Sequence, residues 1–328
     1  MAQPNVKELI VAAPLRDISI QYRNKSYIGD RIFPIVDTTD PKSKVARYLK
    51  GAWFRDEAGI RGPSARAPRS GYPVDLLSIS TKEYAFAKEV PDEDRRFADA
   101  TGAPPLKPDQ DALEFCADKI DLSKERRVAA LIKATQWSGQ AAGGEDAEGL
   151  WVPNDATNTF VADVLARIET IRSNTGLKPN GLMMDFGTYN QLKKVDALLD
   201  RIKYTQTGIF TAALIAAIFD LDEVVIGETI YNTAKETKAG TEWTASNVWE
   251  NTATKGMAFL YYRPSSPGLK TPMSGVQVRV KYEDGGIRRA STWREPAEHQ
   301  DIYEVAEETD ILATGLDLGF MWKDTLLT

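Results

Sequence analysis

The most constraining stretch of this chain is Lys44 to Lys88, where strand-like segments carry no clean apolar face. In KVARYLKGAWFR (44–55), Val45, Leu49 and Trp53 share one side with Arg47 and Arg55, while Tyr48 and Phe54 share the other with Lys44 and Lys50. The run DLLSISTKEYAFAK (75–88) is equally mixed. Between them GIRGPSARAPRSGYP (59–73) has no apolar periodicity and three arginines, Arg61, Arg66 and Arg69. Strands of about twelve residues span about 40 Å, so the sequence predicts a long hairpin without a core of its own. An isolated two-stranded ribbon is marginal in water. Its cover must come from outside the subunit.

The preceding segment has the same need. Residues 1–70 carry 13 Lys/Arg against 7 Asp/Glu, whereas the remaining 258 carry 28 against 40. A basic tail would suit nucleic acid, but Ile18, Tyr22, Tyr27, Ile32, Phe33 and Val36 interrupt this one. It reads as an extended arm that docks on an acidic surface, its own or a neighbour's.

After Pro91 the polar PDEDRRFADATGAPPLKPD reads as a linker leading to the best helix pattern in the chain, Asp109 to Trp137. Asp109 is its expected cap, and Leu113, Cys116, Ala117, Ile120, Val128, Leu131, Ile132 and Thr135 mark one face, with an interruption at Leu122–Ser123 that would kink or shift the stripe. Past a second linker, GQAAGGEDAEG, the pattern turns to α/β. A helix from Thr157 or Asn158 has Phe160, Val164, Ile168 and Ile171 inward, and Asn174 or Gly176 ends it. There follow a strand at 181–186, a helix with Tyr189, Leu192, Val195 and Leu199, and FTAALIAAIF (210–219), expected to be buried on all sides. Strands are predicted at 223–230, 256–262 and 276–282, then an acidic, strand-like return over 287–322.

Chemistry is thinly provided for. Among 328 residues there is one histidine, His299, and one cysteine, Cys116. A disulfide framework and Cys/His zinc sites are excluded, and a Ser-His-Asp triad would depend on His299 alone. Cys116 lies on the apolar helix face and reads as core; His299, in EPAEHQD, reads as surface. There is no phosphate-binding loop, HExxH, GxSxG or EF-hand. Paired carboxylates such as Asp92/Glu93/Asp94 and Glu307/Glu308/Asp310 suit general acid/base work or Ca²⁺, but among 47 acidic residues they read as solvated faces or intersubunit salt-bridge partners. No cofactor is called for. No run reaches the ~18 apolar residues of a membrane span and no leader pattern is present, so the expectation is a soluble chain made in the cytosol.

A basic arm, a projecting hairpin, a long helix, an α/β lobe and returning strands make a subunit completed by its neighbours, and a repeating heterologous contact builds rings or shells. The sequence resembles the major capsid proteins of tailed bacteriophages, with their Hong Kong 97-type α+β shell fold. The likeness rests on YIGDRIFPIV (27–36), WFRDEAGIRGP (53–63), GYPVD (71–75), KEYAFAKEVPDEDRRFAD (82–99) and DALEF (111–115). It implies an N-terminal arm at 1–41, an extended loop at 42–91, a peripheral domain with the spine helix at 92–150, an axial domain at 151–270 and peripheral return strands at 271–328. It further implies hexamers and pentamers in an icosahedral head shell in the virion, enclosing DNA without reading its sequence. A portal protein is an implied partner, and separate scaffolding and decoration proteins are possible ones; there is no role for a membrane. Expected intersubunit contacts are Trp53, Arg55, Arg61, Arg66 and Arg69 on the loop, meeting Glu304, Glu307, Glu308 and Asp310 on a neighbour. The alternatives are a carboxylate-dependent α/β hydrolase and a bacterial nanocompartment shell protein of the same fold.

Overall fold

The computed structural model describes residues 23–98, 107–153, 158–195, 198, 210–237, 242–252, 255–268, 270–282 and 285–326. Residues 1–22 of the expected arm, and Leu199, lie outside that set.

The arm enters through a one-turn helix α1 (Gly29–Ile32) and strand β1 (Ile35–Thr38). The hairpin is β2 (Lys42–Tyr48) and β3 (Val74–Ser80), antiparallel from Lys42↔Ser80 to Tyr48↔Val74, with a short helix α2 (Lys50–Trp53) at the start of its long tip. It is shorter than the sequence suggests. At Thr81 the chain turns away, and β4 (Lys82–Pro91) joins a different sheet instead of prolonging the ribbon. The PDEDRRFA segment forms helix α3 (Asp92–Ala98) rather than linker, with three acids in its first turn, where they suit the helix dipole.

The spine helix α4 (Pro108–Ala134) runs 27 residues without a break at Leu122–Ser123, about 40 Å at 1.5 Å per residue. Its N-cap is Lys107, without a side-chain bond, because the expected cap, Asp109, instead accepts from Arg95 Nε at 2.9 Å. The stripe shifts at mid-helix: Ala112, Cys116 and Ile120 are buried, then Lys124 and Glu125, then Val128, Ala129 and Ile132. A 3-10 turn at Trp137–Gly139 leads to β5 (Glu145–Asp146), so the second supposed linker also contributes a strand. Gly144 makes this possible: its φ is 85°, and a Cβ there would sit 2.7 Å from the Met321 carbonyl oxygen.

The lobe comprises α5 (Phe160–Thr175), β6 (Gly181–Asp185), α6 (Phe186–Leu192), α7 (Ala212–Phe219), β7 (Glu223–Gly227), β8 (Ile230–Asn232), β9 (Ala245–Asn247), β10 (Glu250–Thr252) and β11 (Lys255–Tyr261). As the spacing predicts, α5 buries Phe160, Val164, Ile168 and Ile171 and ends at Gly176, φ 72°. By contrast α7 is not enclosed, since Ile215, Ala216 and Phe219 are buried while Ala213 and Ala217 face solvent.

The return is β12 (Gly275–Val280), β13 (Arg289–Glu295), β14 (Gln300–Ala313) and β15 (Gly319–Lys323). Two sheets result. The first has five strands, with the long β14 flanked by β4 on one side and by β13 and then β12 on the other, and β1 parallel to β12. The second runs β5-β15-β11-β6-β7, with β10 also on β11. Thus β15 does not stay with the other return strands but lies inside the lobe sheet, between β5 and β11.

Candidate intersubunit surface

The arm is plugged into the body. Ile28, Ile32 and Phe33 are buried among Val128, Ile132, Trp137, Trp249 and Phe259. At the plug's head the Glu125 carboxylate, 1% exposed, accepts from the backbone N–H groups of Ile28 (2.9 Å) and Gly29 (2.7 Å), from Trp249 Nε1 (2.8 Å) and from Thr229 Oγ1 (3.3 Å). One side chain thereby ties arm, spine helix and lobe. Behind it the buried Gln277 amide donates to the carbonyls of Gly29 (3.1 Å) and Phe33 (3.0 Å). Further out, Arg23 faces Asp118 at 3.5 Å and Glu114 at 4.0 Å, and Arg31 binds Glu223 at 2.9 Å. Within residues 23–41 the arm thus docks on acidic groups of its own subunit.

Burial raises the Glu125 pKa above its ordinary value, and the four hydrogen bonds only partly offset this. A carboxyl whose pKa is higher folded than unfolded holds its proton more tightly in the native state. Its share of stability is therefore full below the unfolded pKa and is lost as pH rises through the folded one. Urea unfolding at pH 7 and pH 5 should show wild type gaining stability relative to Glu125→Gln on acidification; a difference that does not vary with pH would refute this.

The ribbon is as uncovered as its sequence implies. Every residue of β2 is exposed or half-exposed, as are all those of β3 except Ile79, which anchors the base against Val276 and Val278. Above that base Tyr48, Trp53 and Tyr72 cluster with ring centroids 5.4–6.1 Å apart, and Trp53 is still 56% exposed. Lys50 holds the ribbon to the lobe through Asp317 (2.6 Å) and the Asn174 carbonyl (3.3 Å). Beyond it Arg55 lies 3.8 Å from Glu57, and Arg61 Nε bonds the Ala65 carbonyl at 2.6 Å. Arg61, Arg66 and Arg69 are exposed, without a carboxylate partner among the described residues.

The expected acidic partners divide by strand alternation. Along β14, Val305, Glu307 and Thr309 face the spine helix, where Val305 packs on Cys116 and Ile120, and Thr309 Oγ1 accepts from Arg127 at 3.0 Å. Glu307 is 2% exposed and bound to Arg288 at 2.7 Å, with Asp121 as that arginine's other partner. Contrary to the expectation from sequence, Glu307 is no intersubunit contact, because a buried carboxylate already paired within its subunit cannot reach a neighbour. Glu304, Glu308 and Asp310 share the opposite face. There Glu304 lies 3.7 Å from Arg289, Glu308 accepts from Thr81 Oγ1, and Asp310 accepts from the Ser80 N–H at 3.1 Å.

Elsewhere Cys116 is buried with its thiol pKa raised by burial, and His299 is exposed in the β13–β14 turn. Among the described residues no helix is long and apolar enough to cross a membrane. Sequence reading missed Glu125 altogether: in KERR it looks like a solvated helix face.

Comparison with known proteins agrees with this architecture. No family model matches the chain. It is 30% identical over 236 residues to the major capsid protein of Burkholderia phage BcepMu, an alignment covering 69% of this chain and 72% of the relative. Among solved structures it resembles a phage-related protein from Bordetella bronchiseptica RB50, with a TM-score of 0.67 at 19% identity over 94% of both chains. It also resembles the capsid of cyanophage P-SCSP1u, with a TM-score of 0.60 at 10% identity over 93% and 90% of the two chains. The mature capsid of bacteriophage PhiM1 gives 0.58 at 14% identity over 95% and 91%. Fold and uncovered ribbon together define a shell-building structural subunit. This chain belongs to the phage major capsid proteins and has their Hong Kong 97-type α+β fold. It is a component of the virion shell, built from many copies of itself, and the hydrolase alternative gains nothing from these likenesses.

Proposed function

We propose that the shell is assembled from hexamers and pentamers in which the β2–β3 ribbon of each subunit lies across the next, and that it encloses packaged DNA without reading its sequence and without catalysing a reaction. The observation that carries this is the ribbon itself, since strands with neither face buried and an exposed aromatic cluster at their end are stable only under a neighbour's surface. The acidic body, with 28 Lys/Arg against 40 Asp/Glu after residue 70, suits enclosure rather than sequence readout. In this reading residues 1–41 are the arm and 42–80 the extended loop. The five-stranded sheet with the spine helix is the peripheral domain, and the second sheet, including β5 and β15, is the axial domain. A portal protein completes one vertex; scaffolding or decoration proteins would be separate chains.

Trp53, Arg55, Arg61, Arg66 and Arg69 are the loop's contact residues. The triple reversal Arg61→Glu, Arg66→Glu, Arg69→Glu is expected to abolish particles in negative-stain images while leaving the subunit's thermal unfolding within about 0.5 kcal/mol of wild type, because all three are surface positions. Normal particles from the triple variant would remove this reading of the loop.

A further inference from the structure

The lobe carries a second ribbon that cannot stand alone. Among the described residues β8 and β9 pair only with each other, in the register Ile230↔Asn247, Tyr231↔Ser246 and Asn232↔Ala245, and two strands without a third are marginal in water. One face meets the spine helix at Tyr231, whose ring lies 4.4 Å from the Arg126 guanidinium. Ile230, Asn232 and Ala245 share the other face, all exposed, and Trp243, two residues before Ala245, continues it at 62% exposure.

A third strand is already begun on the outer edge of β8. The Asn24 side-chain amide donates to the Ile230 carbonyl (3.0 Å), and its oxygen accepts from the Ile230 N–H (3.1 Å), the two bonds a neighbouring strand would make. On the β9 side the Thr229 carbonyl accepts from Val248, and the Thr233 N–H donates to Thr244. Alternation therefore turns the Asn232 N–H and C=O to the same outer edge as those of Ile230. Neither has a backbone partner among the described residues.

The arm follows that edge in the antiparallel sense. Asn24 lies beside Ile230, and two residues on, the Ser26 carbonyl accepts from Thr229 Oγ1 at 3.2 Å. Along α4, Lys133 binds the Val248 carbonyl (3.1 Å), Arg126 stacks on Tyr231 and Asp118 lies 3.5 Å from Arg23, so β9, β8 and the arm cross the helix in that order. Continued in the same register, Tyr22 falls opposite Asn232. The residues leading to it, Ile18-Ser19-Ile20-Gln21-Tyr22, alternate apolar and polar, with strand formers at Ile18, Ile20 and Tyr22.

We infer that residues 18–22 add to β8 of their own subunit as an antiparallel third strand, in which Tyr22 exchanges both backbone hydrogen bonds with Asn232 and shares with Ile20 the face of Ile230 and Trp243. The arm is then tied within its subunit as far as Ile18. Only residues 1–17, at most about 60 Å of chain, are left to reach another copy.

Two measurements on free subunits of the full chain test it. Hydrogen exchange should find the Asn232 amide at least tenfold slower in wild type than in Tyr22→Pro, since proline has no N–H to give and disrupts the pairing. The pair Gln21→Cys, Thr233→Cys falls on facing, non-hydrogen-bonded positions, with Cα atoms about 4.5 Å apart. Oxidation should give linked monomer, which runs faster in non-reducing denaturing gels; the native Cys116 is buried. Equal exchange rates overturn the third strand, and so does a folded cysteine variant that stays unlinked. Linked dimers put another copy's arm on the ribbon and overturn the assignment to the same chain. If the cysteine variant does not fold, the exchange result alone decides.

Discussion

Replacing Glu125 with alanine is expected to lower subunit stability by about 3–5 kcal/mol. Three N–H donors converge on that carboxylate, from Ile28, Gly29 and Trp249, and all are taken from water by the plug around them. Alanine leaves each without an acceptor, at about 1–3 kcal/mol for a buried unsatisfied group. The neighbouring packing is too close to readjust: a Cβ on Gly29 would already lie 2.9 Å from the carboxylate and 3.1 Å from Val128. Glu114→Ala is the control, on the same helix but exposed and 4.0 Å from Arg23; it should change stability by less than about 0.5 kcal/mol. Urea denaturation of the two variants, with hydrogen exchange over residues 28–33, decides the matter. Equal effects, or unchanged protection of the plug, would contradict the role given to Glu125.

The second large effect is expected at Gly256→Ala. Asp185 is a buried carboxylate that caps α6 through the Thr188 N–H (3.1 Å), accepts from the Met257 N–H (3.1 Å) and bonds the Thr188 hydroxyl, which in turn meets Thr325. A Cβ on Gly256 would lie 2.6 Å from Thr325 Oγ1 and closer still to Asp185 and Thr188. The knot joins β6, α6, β11 and the segment after β15, so none of its members can move alone. A loss of about 3 kcal/mol is expected from overpacking and a broken cap together. Expression as soluble subunit with an unfolding midpoint near wild type would show that the knot yields.

Much of this fold can be read from local pattern. The ribbon's lack of a core, the spine helix and the inward face of α5 follow from which side chains recur at which spacing. What escapes is set by distant partners. Nothing near Thr81 announces that β3 stops there, because β4 is defined by pairing with β14 more than 200 residues later. Asp109 looks like a helix cap until Arg95 claims it. Glu307 and Glu308 are adjacent acids in one acidic run, yet one is buried and the other is not; in EVAEETD valine and threonine share the face of Glu307 and alanine that of Glu308, too weak an apolar contrast to fix the phase. Glu125 is hidden for a related reason, since its burial depends wholly on the arm and on Trp249.

The position of β15 bears on how the chain is made. A polypeptide leaves the ribosome from its N-terminal end, so the lobe sheet stays open between β5 and β11 until residues 319–323 have been synthesised and inserted. A chain broken anywhere earlier lacks an interior strand and exposes the edge of β11. Prematurely terminated products are therefore sorted out by their own misfolding before they can take a place among full-length neighbours, and a structure that requires many identical parts gains an inspection step at no extra component.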